Sequence, residues 1–271
     1  MRDIKKFQKT VWDYYNQHKR DFPWRKTKNP YHIWVSEVML QQTQTDRVVP
    51  KYEAFLKRFP TVSSLSSASQ KDVLESWQGL GYNRRGLNLK RAGEEIVGRF
   101  KGKIPSEVED LMSLPGIGDY TAKAIVTFAH NLPSVFIETN IRTVYLEYFF
   151  KNSKEKVHDN EILRLVEKTL DIKNPREWYY ALMDYGVMLK KIHKAKNIKS
   201  VHYRKQTPFK GSGRQVRSTI LKYILENHKL TLPALCKIPL LKNKKNVIQE
   251  KIQELVDEGF IVKDKNYYVI S

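Results

Sequence analysis

Two glutamates and one glycine-bearing turn are the residues whose types and spacing could do chemistry. Glu37 lies in Tyr31-His32-Ile33-Trp34-Val35-Ser36-Glu37-Val38-Met39-Leu40-Gln41-Gln42-Thr43-Gln44. On a helix it shares a face with Ile33, Trp34, Leu40 and Gln41, the neighbours at offsets of three and four. A carboxylate among apolar side chains costs free energy unless it is protonated or paired, and desolvation raises its pKa. That suits a general acid, although taken alone Glu37 fits a structural carboxylate bridged to an arginine better. Glu138 precedes Thr139-Asn140-Ile141-Arg142-Thr143-Val144, which reads as a helix opening. The helix dipole favours negative charge there, and ordinary capping explains the residue equally well. One acid pushed towards protonation and one favoured as an anion is the pattern that runs acid–base chemistry on glycosidic bonds. Leaving-group protonation there accompanies an oxocarbenium-like centre.

The third feature is Pro105 to His130, where two helical patterns flank Leu114-Pro115-Gly116-Ile117-Gly118. Gly116 and Gly118 permit backbone conformations closed to other residues, and a helix begins directly after them. Backbone N–H groups at such a start receive a phosphate without side-chain charge. A helix-hairpin-helix that grips a nucleic-acid backbone independently of sequence has this form. A simple helix–helix corner is the alternative, for which one glycine would suffice.

The elements that must position these residues are mostly helical. Periodicity predicts helices over 3–18, 31–43, 46–58, 61–67, 70–77, 84–98, 106–112, 119–130, 140–150, 158–171 and 175–190. Breaks fall at Phe22-Pro23, Asn29-Pro30, Phe59-Pro60, Gly79-Leu80-Gly81, Ile104-Pro105 and Leu132-Pro133. After Pro208-Phe209-Lys210-Gly211-Ser212-Gly213 the pattern changes to helices near 214–227, 231–237 and 244–259, then short β-like runs at 260–262 and 267–270. Three helices and a hairpin read as a winged helix-turn-helix, with a plain helical cap as the alternative.

Charge narrows the partner. The 271 residues carry 49 Lys+Arg against 29 Asp+Glu, a formal net charge of +20. Such self-repulsion usually has a polyanionic partner, nucleic acid first and an anionic membrane surface second. Residues 190–217 hold ten Lys/Arg, beginning with Lys190 and Lys191, and no acid. At roughly 100–200 residues per domain the length suggests two domains. No apolar run approaches the ~18 residues of a membrane span, and the N-terminus has no apolar signal core, so an intracellular protein without membrane attachment is expected. The one cysteine, Cys236, excludes a disulfide framework and an all-cysteine metal site within one chain.

In combination, the motifs resemble the helix-hairpin-helix DNA glycosylase superfamily, and within it the MutY adenine glycosylase branch. The segments are FPWR (Phe22 to Arg25), SEVMLQQTQ (Ser36 to Gln44), RFPTV (Arg58 to Val62), WQGLGY (Trp77 to Tyr82), LPGIGDYTAKAI (Leu114 to Ile125), ETNIRTV (Glu138 to Val144) and MDYGVM (Met183 to Met188), in family order over roughly 60% of the chain. The resemblance implies that Glu37 protonates a flipped adenine, that Glu138 takes the place of the catalytic Asp at the sugar, and that Asn140 orients that site. Tyr120 stands where bifunctional relatives carry a Schiff-base lysine, which implies a monofunctional enzyme. Gln41 and Tyr82 match residues that enter the base stack, with Gln42 a further DNA contact, and Gly116, Ile117 and Gly118 match the phosphate-gripping hairpin, which in relatives often holds a cation.

The implied architecture is mostly α. It has a two-subdomain glycosylase core, residues 1–28 with 132–210 and residues 29–131 including the hairpin, plus a small winged-helix-like α+β domain over 212–271. Three departures stand out. Glu138 is one methylene longer than the family Asp. The four cluster-cysteine places fall at about Lys190, Asn197, Ser200 and Gln206, so an iron–sulfur cluster is not expected; Lys190, Lys191 and their basic neighbours are expected to contact DNA instead. The C-terminal reader of 8-oxoguanine found in typical MutY proteins has no counterpart in 212–271. The implied function is a monomeric, nucleoid-associated enzyme that excises adenine opposite 8-oxoguanine or guanine in duplex DNA. Excision of thymine or uracil opposite guanine, and non-catalytic DNA binding, are the alternatives.

Overall fold

The computed structural model describes residues 2–192, 197–201, 203 and 207–271. Helices run in chain order as α1 (Arg2–His18), α2 (Pro30–Leu40), α3 (Thr45–Arg58), α4 (Val62–Ser67), α5 (Gln70–Trp77) and α6 (Arg84–Phe100). They continue as α7 (Val108–Met112), α8 (Asp119–His130), α9 (Thr139–Phe149), α10 (Asp159–Thr169) and α11 (Pro175–Ile192). The C-terminal elements are α12 (Gly213–Asn227), β1 (Lys229–Thr231), α13 (Leu232–Lys237), α14 (Lys245–Asp257), β2 (Ile261–Asp264) and β3 (Tyr267–Ile270). Caps set many of the boundaries. Thr61 and Ser64 form a capping box on α4, Ser69 accepts the Asp72 N–H at the start of α5, and Asn131 ends α8 in the left-handed region at φ +56.

The chain divides into two compact units, residues 1–38 with 103–204 and residues 39–102 with 205–271. This corrects the expected boundaries at 28/29 and 131/132. Ile33 of α2 and Ala124, Phe128 and Ala129 of α8 are buried in one core with Phe7, Tyr145 and Trp178, so the hairpin belongs to the first unit. Aromatic stacking tightens that core, with Phe136 on Tyr179 at 3.8 Å and Phe128 on Tyr180 at 4.6 Å between ring centroids.

In the second unit, Leu74 and Leu87 share a core with Val216, Ile220, Leu235, Ile248 and Phe260. The core of the 212–271 segment is therefore continuous with Leu74 and Leu87 of residues 39–102. Its three strands form an antiparallel sheet in the order β1-β3-β2, with Leu230 opposite Tyr268 and Val262 opposite Val269. Strand β1 is absent from the sequence-based expectation because it is three residues long and ends at Thr231, whose side chain already caps α13. Among the described residues, no helix is long and apolar enough to cross a membrane.

Candidate active site

The first unit assembles its chemistry on α2, α8, α9 and α11. Helix α2 is buried on all sides from Ile33 to Met39, and Glu37 is 6% exposed. Its partner is a tyrosine and not the arginine of the structural alternative: the Tyr120 hydroxyl, in the first turn of α8, donates to Glu37 Oε2 at 2.8 Å. Burial pushes the Glu37 carboxyl from its ordinary 4.5 up to about 7. The Tyr120 hydrogen bond and the Arg25 charge oppose that rise, while the charge of Glu138 adds to it. The Tyr120 phenol is itself held well above its usual value by burial and by the Glu37 and Glu138 charges. It stays a hydrogen-bond donor over the working range.

Glu138 caps α9. Its Oε1 accepts the Asn140 and Ile141 N–H groups at 2.7 and 2.8 Å. Its Oε2 accepts Asn140 Nδ2 and Thr139 Oγ1, both at 3.1 Å. The capping role and the candidate site role thus fall on one carboxylate, whose four donors fix its position. Asn140 in turn accepts Lys190 Nζ at 2.8 Å. Lys190, expected to face DNA, is half-buried and directs its ammonium to Asn140; Lys191 beside it is exposed.

Two residues inside the quoted motifs, unassigned from sequence, hold this arrangement together. A Cβ on Gly186 would lie 2.3 Å from Asn140 O, so α11 approaches the first turn of α9 more closely than any side chain permits. Asp184, buried one turn earlier in α11 than Met188, takes both Arg25 Nη atoms at 2.8 Å and Arg20 Nε at 2.6 Å. Burial alone would raise its pKa, but the Arg25 and Arg20 contacts hold the carboxyl below the usual range. The signal available in sequence was only that FPWR and MDYGVM occur together; nothing local joins residues so far apart.

The hairpin has the expected form at one of its two glycines. Gly116 is left-handed at φ +78, whereas Gly118, just before α8, is extended at φ −96, a backbone open to any residue, with open space around it. The Ile117 side chain is buried and its N–H donates to Leu114 O at 3.2 Å, so it anchors the turn. Among the described residues, no three His, Cys, Asp or Glu side chains come together to hold a metal. A cation near Gly116 and Gly118 would rest on main-chain carbonyls, which suit a hard ion.

The second unit holds the other expected residues. Gln42 and Tyr82 both adopt left-handed backbone, at φ +55 and +48, a strained choice for non-glycine residues. Arg85 ties their loops together, a role that sequence reasoning missed. Its guanidinium donates to Met39 O at 3.0 Å and Gln41 O at 2.6 Å. On the other side it donates to Thr43 Oγ1 at 3.2 Å, Leu80 O at 3.2 Å and Gly81 O at 3.0 Å. Tyr82 is 41% exposed, and its hydroxyl accepts Arg214 Nη1 at 3.2 Å.

The basic block is less available to a partner than its composition implies. Lys199 Nζ donates to the Phe150 and Lys151 carbonyls, Arg214 Nη2 to Thr207 O, and Arg217 pairs with Glu258. Of the cluster-cysteine places, Ser200 is buried in a parallel bridge with Val157. Gln206 lies outside the described residues, as do Lys194, Lys196, Arg204 and Lys205.

Comparison with known proteins agrees with this geometry. The adenine DNA glycosylase of Buchnera aphidicola subsp. Baizongia pistaciae is 35% identical over 184 residues, covering 68% of this chain and 52% of that protein. The human adenine DNA glycosylase is 31% identical over 195 residues, covering 68% of this chain and 36% of that protein. The chain thus spans about half the length of the bacterial relative and about a third of the human one. A solved thermostable thymine-DNA glycosylase matches with a TM-score of 0.66 and 25% identity, over 72% of this chain and 91% of its own. The family described as "HhH-GPD superfamily base excision DNA repair protein" matches residues 35–170, half of the sequence. With the buried acid, the capped carboxylate and the glycine hairpin all inside or beside that span, the chain belongs to the HhH-GPD superfamily.

Proposed function

We propose that the chain is a monofunctional DNA glycosylase that excises adenine mispaired with 8-oxoguanine or guanine, leaving an abasic site. The observation that carries this is the pairing of a buried acid at a pKa of about 7, Glu37, with a four-fold hydrogen-bonded carboxylate, Glu138. The curated relatives of 31–35% identity named adenine DNA glycosylase support the choice of base. In this reading the adenine is flipped out of the stack, while Gln41, Gln42 and Tyr82 occupy the gap and offset the cost of extrusion. Glu37 gives its proton to the adenine ring as the N-glycosidic bond breaks and its electron pair goes to the base. Glu138 stabilises the sugar cation, and water adds at the anomeric carbon with loss of a proton.

The same reading assigns the remaining parts. The α8 N-terminus and the Gly116–Gly118 turn bind a DNA phosphate, with a hard cation on the turn carbonyls. No iron–sulfur cluster is used. The C-terminal segment acts as a winged helix whose Lys237, Lys242, Lys244 and Lys245 add duplex contacts, and the enzyme works as an intracellular monomer on nucleoid DNA.

A second reading, thymine or uracil excision opposite guanine, is favoured by the thymine-DNA glycosylase likeness, which covers 91% of that chain. Single-turnover assays decide between them. The duplexes carry adenine opposite 8-oxoguanine, guanine or cytosine, and thymine or uracil opposite guanine. Strand scission only after alkali is expected, from adenine duplexes first. Glu37→Gln should bind DNA and excise nothing; unchanged turnover in that variant would sink the assignment.

A further inference from the structure

Lys190 lies in the last turn of α11, and its side chain leads to the carboxylate site. Its Nζ donates to Asn140 Oδ1 at 2.8 Å, and Asn140 Nδ2 donates to Glu138 Oε2 at 3.1 Å. A lysine ammonium has three donors and no acceptor, so it can face only the oxygen of an amide. The contact therefore holds the Asn140 amide from its oxygen side, in the same orientation that the Glu138 contact requires of its NH₂ side. With the oxygen held by Lys190, the NH₂ group must face Glu138. Gly186, one turn before Lys190, makes this reach possible by letting α11 close onto Asn140 O. Partial burial lowers the ammonium pKa, and the Glu138 charge acts against that.

We infer that Lys190 is a positioning residue of the excision site: it orients the Asn140 amide so that its NH₂ group holds the Glu138 carboxylate. This rests on the glycosylase reading above and replaces the role of Lys190 as a phosphate contact. The two roles leave different signatures. A phosphate contact contributes to affinity and to its salt dependence, whereas a positioning residue acts on the chemical step.

The test uses the full chain, the excised duplex of the panel, and the same duplex with a non-hydrolysable adenine nucleotide for binding. Lys190→Met should slow single-turnover excision by about 10- to 100-fold, the loss of one hydrogen bond to a charged group. Its dissociation constant and salt slope should match the parent. Lys190→Arg, still a pure donor, should recover most of the rate. Lys191→Ala should show the phosphate-contact signature instead, weaker binding and a lower salt slope. In the cycle with Asn140→Ala, the double variant should be no slower than Asn140→Ala alone. An unchanged rate for Lys190→Met, additive losses, or a salt slope reduced by about 1 at an unaltered rate overturns the inference. Lys190→Leu, also without a donor, repeats the comparison if Lys190→Met does not fold, with the same outcomes. A parent protein that excises no base fails the glycosylase reading itself, and that is seen before any variant is compared.

Discussion

The Tyr120 hydroxyl donates to Glu37 Oε2 at 2.8 Å, yet the Glu37 carboxyl still titrates at about 7. The hydrogen bond favours the ionised form and burial favours the neutral one, so the acid strength of the site is the difference of two opposing effects. Each is separately removable. Single-turnover excision should be flat at acidic pH and fall about tenfold per unit above about 7, as Glu37 loses the proton it must deliver. Tyr120→Phe removes a contact that lowers the pKa, so the alkaline limb should move to higher pH. A limb that stays in place or moves down would show that Tyr120 does not act on Glu37.

Glu37 should also leave a mark on stability. Below about 4.5 both the folded and unfolded chains hold its proton; between 4.5 and about 7 only the folded chain does; above that neither does. Its contribution is therefore fully present at low pH and is lost as pH rises to about 7. The loss is on the order of 3 kcal/mol. Glu37→Gln carries no such titration. In urea unfolding, the stability difference between Glu37→Gln and the parent should grow in favour of the variant from pH 4.5 to 8.

The pattern of what was legible in the sequence follows range. Helix boundaries, the apolar surroundings of Glu37 and the capping position of Glu138 depend on residues within one or two turns, and they were readable. The Tyr120–Glu37 contact spans 83 residues, Arg25–Asp184 spans 159 and Lys190–Asn140 spans 50, and no local periodicity encodes any of them. The unit boundaries shifted for the same reason. Whether the hairpin packs with α1 and α11 depends on Ile33 and Phe128 meeting Phe7 and Trp178, not on the proline and glycine that punctuate the chain. Composition likewise counts charges without showing their contacts: Lys190, Lys199 and Arg214 direct donors to neutral internal oxygens, and Arg217 is ion-paired with Glu258.

Gly186→Ala tests the close approach of α11 to α9. The new methyl would sit 2.3 Å from Asn140 O, so the α9 start must move, and Glu138 and Asn140 move with it. A destabilisation of about 1–3 kcal/mol is expected from overpacking. Excision should slow by about 100-fold if the carboxylate shifts by an ångström. Gly98→Ala in α6 is the matched control, since its Cβ would meet nothing within 4 Å. It should stabilise the protein by about 0.5–1 kcal/mol and leave excision alone.

Arg85 offers a separation of flipping from chemistry. Its guanidinium holds five acceptors in two loops, those of Gln41–Thr43 and Leu80–Gly81, with Met39 O among them. Those loops carry Gln42 and Tyr82 in strained left-handed backbone, which persists only while surrounding contacts enforce it. Lysine keeps the charge but has three donors in a different geometry, so Arg85→Lys should leave carbonyls unsatisfied and cost about 3 kcal/mol. The loops should then relax, and Gln41, Gln42 and Tyr82 should fill the vacated stack less well. A 2-aminopurine beside the target should report weaker base extrusion, with slower excision to match. The alkaline limb of the rate profile should nevertheless remain at about 7, because the burial and the Tyr120 contact that set it belong to the first unit. A limb displaced along with the loss of extrusion would mean that Arg85 acts on the acid itself and not on the wedge.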